Sequence, residues 1–111
     1  MLYSSIVVPG LQVDAEKLHE TLIEFVKDQM SKAGRKKAVF GLSGGLDSAV
    51  LAFILAEALG SDNVLAAVLK YHATDPESLK DAKNVRDTLG LKCVTIDITP
   101  MVAQCRAALF A

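Results

Sequence analysis

A short apolar run, Lys37 to Leu42 (KAVFGL), leads straight into Ser43-Gly44-Gly45, and Asp47 to Leu59 then follows as strong helix formers that are apolar almost all round. Nothing else in the chain limits its fold so tightly. A short apolar run bounded by charge and glycine suits a buried strand, and a helix apolar on nearly every side must be buried on most faces. A strand joined to a helix by a glycine turn is the opening of a βαβ unit.

The remaining punctuation extends that pattern. Asp14 stands at an N-cap position with Val13 and Leu18 as a hydrophobic staple, and Leu18, Leu22, Phe25, Val26 and Met30 continue one apolar face to a helix end near Gly34. Gly60 closes the second helix, and Asn63 to Leu69 (NVLAAVL) reads as a second strand. Asp75-Pro76-Glu77 starts a helix that runs to Leu89 before Gly90; Val94, Ile96 and Ile98 alternate as a third strand; and Thr99-Pro100 repeats the cap-then-proline start. The order predicts an α/β fold of three layers, α/β/α and Rossmann-like, with a parallel sheet covered on both faces and ligands at the carboxyl ends of its strands. Three strands leave exposed edges, which predicts that more chain or another subunit completes the sheet.

With 111 residues there is room for one domain and not two. Twelve basic against 13 acidic residues, net charge −1, provide no broad positive field, so nucleic acid is not an expected partner, and Arg35-Lys36-Lys37 reads as a solvated corner. Cys93 and Cys105 have no CxxC and no neighbouring histidine to complete a zinc site, and read as reduced core thiols. The apolar Ile6-Val7-Val8 is too short for a signal core, and Ala49 to Ala58, interrupted by Glu57, falls far below the roughly 20 residues of a membrane span. The expected location is the cytoplasm, away from any membrane.

Chemistry concentrates in Gly41-Leu42-Ser43-Gly44-Gly45-Leu46-Asp47-Ser48. A helix N-terminus offers unpaired N–H groups and the positive end of the helix dipole. Glycines let the backbone approach phosphate oxygens in left-handed conformations, and Ser43 and Ser48 add hydroxyls. The loop is no Walker A motif, because it contains no lysine. Asp47 would repel a bare phosphate and becomes favourable if it ligates a Mg²⁺ that bridges to phosphate oxygens. Two other readings stand beside this one: Ser43 or Asp47 only caps the helix, or Gly41-Leu42-Ser43-Gly44-Gly45, which also fits G-x-S-x-G, is a nucleophile elbow.

Ser43-Gly44-Gly45-Leu46-Asp47-Ser48 resembles the SGGxDS pyrophosphate loop of the N-type ATP pyrophosphatases, whose fold is of the adenine nucleotide alpha hydrolase type. With Phe40-Gly41-Leu42 before the loop and Tyr71 to Ala82 (YHATDPESLKDA) after the second strand, the chain is most similar to the NAD synthetase branch. Members of that branch commonly carry Met-Pro-Tyr-Lys/Arg-Thr-Ser-x-Pro-Glu-Ser at the latter segment. The resemblance implies that residues 1–111 are a single ATP-binding domain, about half of the family domain, and the amino-terminal part of an enzyme whose second half supplies further contacts. It implies ATP-dependent amidation of deamido-NAD to NAD through an acyl-adenylate, with release of pyrophosphate and AMP. Ammonia is then the nitrogen source, since the glutamine-dependent relatives carry an upstream amidase domain. Gly41 to Ser48 would surround the ATP phosphates, Asp47 would hold Mg²⁺, and the active site would be completed in a homodimer.

The chain departs from the family pattern at Lys70, His72 and Ala73. Lys70 reads as a phosphate contact or a solvated side chain, and His72 as a neutral nucleotide contact or a surface loop residue. No catalytic side chain is singled out. A catalytically silent nucleotide-binding or dimerisation module stays open as the alternative, and thiolation or adenylation of another substrate such as tRNA as a third reading.

Overall fold

The computed structural model describes residues 14–72 and 74–110, so Val13, and with it the staple, and Ala73 lie outside the described residues. The elements run α1 (Ala15–Ala33), β1 (Ala38–Gly41), α2 (Leu46–Leu59), a 3₁₀ turn (Ser61–Asn63), β2 (Val64–Lys70), α3 (Pro76–Leu89), β3 (Lys92–Asp97) and α4 (Thr99–Phe110). The alternation expected from the sequence is present, and local chemistry accounts for most boundaries. Asp14 caps α1 by accepting from the Lys17 amide, and Gly34, at φ 65°, closes it in the left-handed region. Asp75 caps α3 with Pro76 in its first turn, and Gly90 repeats the left-handed stop.

The strands pair in parallel in the order β1-β2-β3. Phe40 lies opposite Ala66, and Ala66 opposite Cys93, so these three share one face of the sheet. That face carries the core, in which Phe40, Val64, Ala66 and Leu91 pack with Ala52 and Leu55 of α2 and Ala82 of α3. Parallel strands that neighbour in sequence order, joined by crossovers of one hand, bring α2 and α3 to the same side.

Several burial expectations are corrected by this arrangement. The α/β class and the parallel sheet stand, but among the described residues the sheet is covered on one face only. Val39, Leu69, Val94 and Ile96 point to the other face and are exposed, so β1 and β3 are not buried on both sides. The apolar helix α2 buries only Ala52 and Leu55, while Leu46, Val50, Leu51 and Phe53 stay exposed. On α1 the buried residue is Ile23, with Val26 packed against the core, whereas Leu18 and Phe25 are exposed. Cys93 is half-buried and Cys105 exposed, both free, so Cys105 is not a core thiol.

Helix α1 leans on α2, and His19 Nε2 meets Glu57 Oε2 across the pair at 2.8 Å. Among the described residues no helix is long and apolar enough to cross a membrane.

Candidate functional site: the glycine turn and the carboxyl edge

Strand β1 ends at Gly41, but its pairing with β2 continues one step further, because the Leu42 N–H donates to the Ala67 carbonyl at 2.9 Å. The Leu42 side chain is only 2% exposed and plugs the core beneath the turn, so only its backbone is available to a ligand. The chain then rises into the turn, where the two serines close a small network. The Ser48 hydroxyl donates to the Gly45 carbonyl at 3.2 Å and accepts from the Ser43 amide at 3.1 Å. Having given away its one proton, it accepts from the Ser43 hydroxyl at 3.0 Å, and Ser43 Oγ in turn accepts from the Gly45 amide at 3.2 Å. The hydroxyls expected to serve a ligand are therefore engaged in shaping the turn.

The two glycines differ. Gly44 has φ 85°, and a Cβ there would collide with the Ser78 carbonyl oxygen in the first turn of α3 and lie 2.9 Å from its carbon. Glycine is required at this position by backbone angle and by close approach together. Gly45 sits at φ −80° as the N-cap of α2, in extended backbone open to any residue, and is not left-handed as expected. No side chain caps α2, which sets aside the reading of Ser43 or Asp47 as its cap.

The first backbone bond of α2 runs from the Ala49 amide to the Gly45 carbonyl. The amides of Leu46, Asp47 and Ser48 precede it and face out of the helix end. Asp47 lies exposed in this first turn, and Leu46 is 73% exposed. What the turn offers is a rim of amides at the positive end of a helix with one carboxylate beside it. The nucleophile-elbow reading fails on backbone grounds. Such an elbow holds its serine in a strained turn, whereas here the positive φ falls on Gly44, and no described non-glycine residue has one.

Lys70 ends β2 and is exposed, with its carbonyl accepting from the Ile98 amide at 2.8 Å. Its side chain lines, with Lys83 and Arg86, a groove of about 400 Å³ between α3 and β3. His72 is exposed, its ring 4.2 Å from that of Tyr71, and its amide donates to Thr99 Oγ1 at 3.1 Å. Thr99 therefore does not cap its own helix as expected, and the Thr99 amide donates instead to Asp97 Oδ1 at 2.9 Å. Thr99 holds the Asp97 carboxyl below the ordinary carboxylate range, through its hydroxyl first and its amide second, with Lys70 and His72 adding smaller attractions. The structure thus brings Lys70 and His72 together with Asp97 and Thr99, and brings the glycine turn against Ser78. Sequence reasoning missed Ser78, Asp97 and Thr99. The Asp-x-Thr spacing at a strand end was a usable signal for the last two, and Ser78, although it stands in the Pro76-Glu77-Ser78 match to the family segment, was given no role.

Arg35, Lys36 and Lys37 are exposed, as expected of a solvated corner. With Lys27, the first two border a groove of about 470 Å³ at the amino end of β1, away from the turn.

The NAD synthase family model matches residues 18–110. The NH3-dependent NAD+ synthetase of Fusobacterium nucleatum subsp. nucleatum is 45% identical over 92 residues, which cover 83% of this chain and 36% of that protein. The glutamine-dependent NAD+ synthetase of Synechocystis sp. is 40% identical over 97 residues, covering 87% of this chain and 17% of that one. In three dimensions the fold matches the glutamine-dependent NAD+ synthetase of Acinetobacter baumannii, solved in complex with ADP, with a TM-score of 0.82 and 28% identity over 95% of this chain and 20% of that chain. The chain spans about a third of the length of the NH3-dependent relatives it matches.

Proposed function

The chain belongs to the NAD synthase family, and on that premise we propose that its glycine turn, Gly41 to Ser48, holds the phosphates of ATP in the amidation of deamido-NAD to NAD. In this reading the nicotinate carboxylate of deamido-NAD attacks the α-phosphorus of ATP and pyrophosphate leaves. Ammonia then displaces AMP from the acyl-adenylate to give the amide. The observation that carries the proposal is the turn itself: Gly44 brings the backbone into close contact with α3, and the free end of α2 presents the amides of Leu46, Asp47 and Ser48. Such amides are fixed before the reaction and stabilise the charge that develops on the departing pyrophosphate. The ADP-bound relative supports nucleotide use by the fold. Lys70 and His72, at the carboxyl end of β2, are proposed as further nucleotide contacts.

Mg²⁺ fits the turn in one respect. Asp47 is an exposed carboxylate beside the amide rim, and the described residues contain no group of three side chains able to hold a metal on their own. An ion there would share Asp47 with phosphate oxygens, as a hard cation bound through substrate does, and would neutralise charge on the leaving pyrophosphate. The exposed apolar residues of α2 support the further proposal that the enzyme works as a homodimer, and we take its compartment to be the cytoplasm.

Calorimetric titration of the chain with ATP, with and without Mg²⁺ and with GTP as control, tests the reading. Saturable, Mg²⁺-dependent binding of ATP in preference to GTP is expected. A folded chain that binds no ATP would overturn it.

A further inference from the structure

The segment between β2 and α3 is fastened at both ends. On one side the backbone of Ser78 abuts Gly44, so the start of α3 is seated on the glycine turn. On the other, the Ile98 amide reaches the Lys70 carbonyl and the His72 amide reaches Thr99 Oγ1. Between these ties the Tyr71 amide donates to Thr74 Oγ1 at 3.0 Å, and the Thr74 amide to the Tyr71 carbonyl at 2.8 Å, which makes the bend a braced unit.

Resting on the nucleotide role proposed above, we propose that Thr99 is a positioning residue whose hydroxyl, released from capping its own helix, holds the Lys70–His72 segment at the carboxyl edge of the sheet and so sets the nucleotide contact made there.

A threonine at a helix start ordinarily accepts from an amide two or three residues ahead. Here the Asp97 carboxylate serves the start of α4, and the Thr99 oxygen accepts from a residue 27 positions away. A hydrogen bond of that span carries no local advantage to the helix; its effect is to fix where the bend after β2 sits relative to β3. The bond is exposed, so water replaces it when it is lost, and what changes is the position of the segment rather than the stability of the domain.

Thr99→Val keeps the branched shape and removes the acceptor, Thr99→Ser keeps the acceptor, and Thr99→Ala is the substitute should the valine variant unfold. Two readouts are needed on the full chain, amide hydrogen exchange at His72 and calorimetric ATP affinity in Mg²⁺. In Thr99→Val, exchange at His72 is expected to quicken about fivefold and the Kd for ATP to rise about three- to tenfold, the range of one net hydrogen bond. The melting temperature should stay near that of the wild type, and Thr99→Ser should restore both readouts. Unchanged exchange at His72, unchanged ATP affinity, or failure of Thr99→Ser to restore them would each overturn the role of Thr99. A wild-type chain that binds no ATP is a different outcome, because it overturns the nucleotide reading and this inference together.

Discussion

The two faces of the sheet are built from the same three strands, yet they end in opposite environments. Val64 and Val94 are the same residue on neighbouring strands, and they are 1% and 40% exposed. Side-chain chemistry does not separate them. Consecutive strand order with one hand of crossover stacks α2 and α3 on the face of Phe40, Val64 and Ala66, and the chain has no third crossover to cover Val39, Leu69, Val94 and Ile96 among its described residues. An apolar pattern states how much cover a strand needs, whereas strand order decides which face the chain itself covers.

The comparison can be broken most directly at Phe40 and Val39, adjacent residues on opposite faces. Phe40→Ala, which empties the covered face, should cost about 3–5 kcal/mol of stability in urea denaturation. At the carboxyl end of β1 the two glycines repeat the contrast on a smaller scale. Gly44→Ala should cost about 2–4 kcal/mol from positive φ and the clash with Ser78, while Gly45→Ala should stay within about 1 kcal/mol. Equal effects at the two positions would mean that α3 does not seat on the turn.

Asp47→Ala should lower Mg²⁺-dependent ATP affinity about tenfold, the scale of a charge-assisted contact, and leave the unfolding midpoint nearly unchanged, as an exposed residue that caps nothing allows. Asp97 offers a finer probe. Its folded pKa is depressed, so its contribution is present above the unfolded carboxylate value and is lost as pH falls through the lower, folded one. Asp97→Asn should therefore flatten part of the stability loss below about pH 4, measured as urea midpoints across an acid series. The smallest effect belongs to the open face, where Val39→Thr should change stability by less than about 0.5 kcal/mol. A large loss there would mean that something covers that face in solution.

What was legible in the sequence was what local chemistry decides. Asp14, Gly34, Asp75, Pro76 and Gly90 mark their helix ends because caps and left-handed stops depend on a few neighbouring residues. The glycine turn was legible as a strand-to-helix junction because a short apolar run, two glycines and strong helix formers follow one another directly. Burial was not, since the apolar circumference of α2 and the alternation of β3 do not say which side another layer will occupy. Gly44 and Gly45 look alike as letters, and it is the backbone angle together with the approach of the distant Ser78 that tells them apart. The same holds for Thr99, whose position suits a cap and whose partner lies in another loop.

Each strand of this sheet pairs with the strand next to it in the chain. Every strand pairing therefore closes a loop only one crossover long, and the two closures carry nearly equal entropic cost. These three described strands can assemble in the order in which the chain leaves the ribosome, since β1 and β2 can meet over α2 before β3 exists.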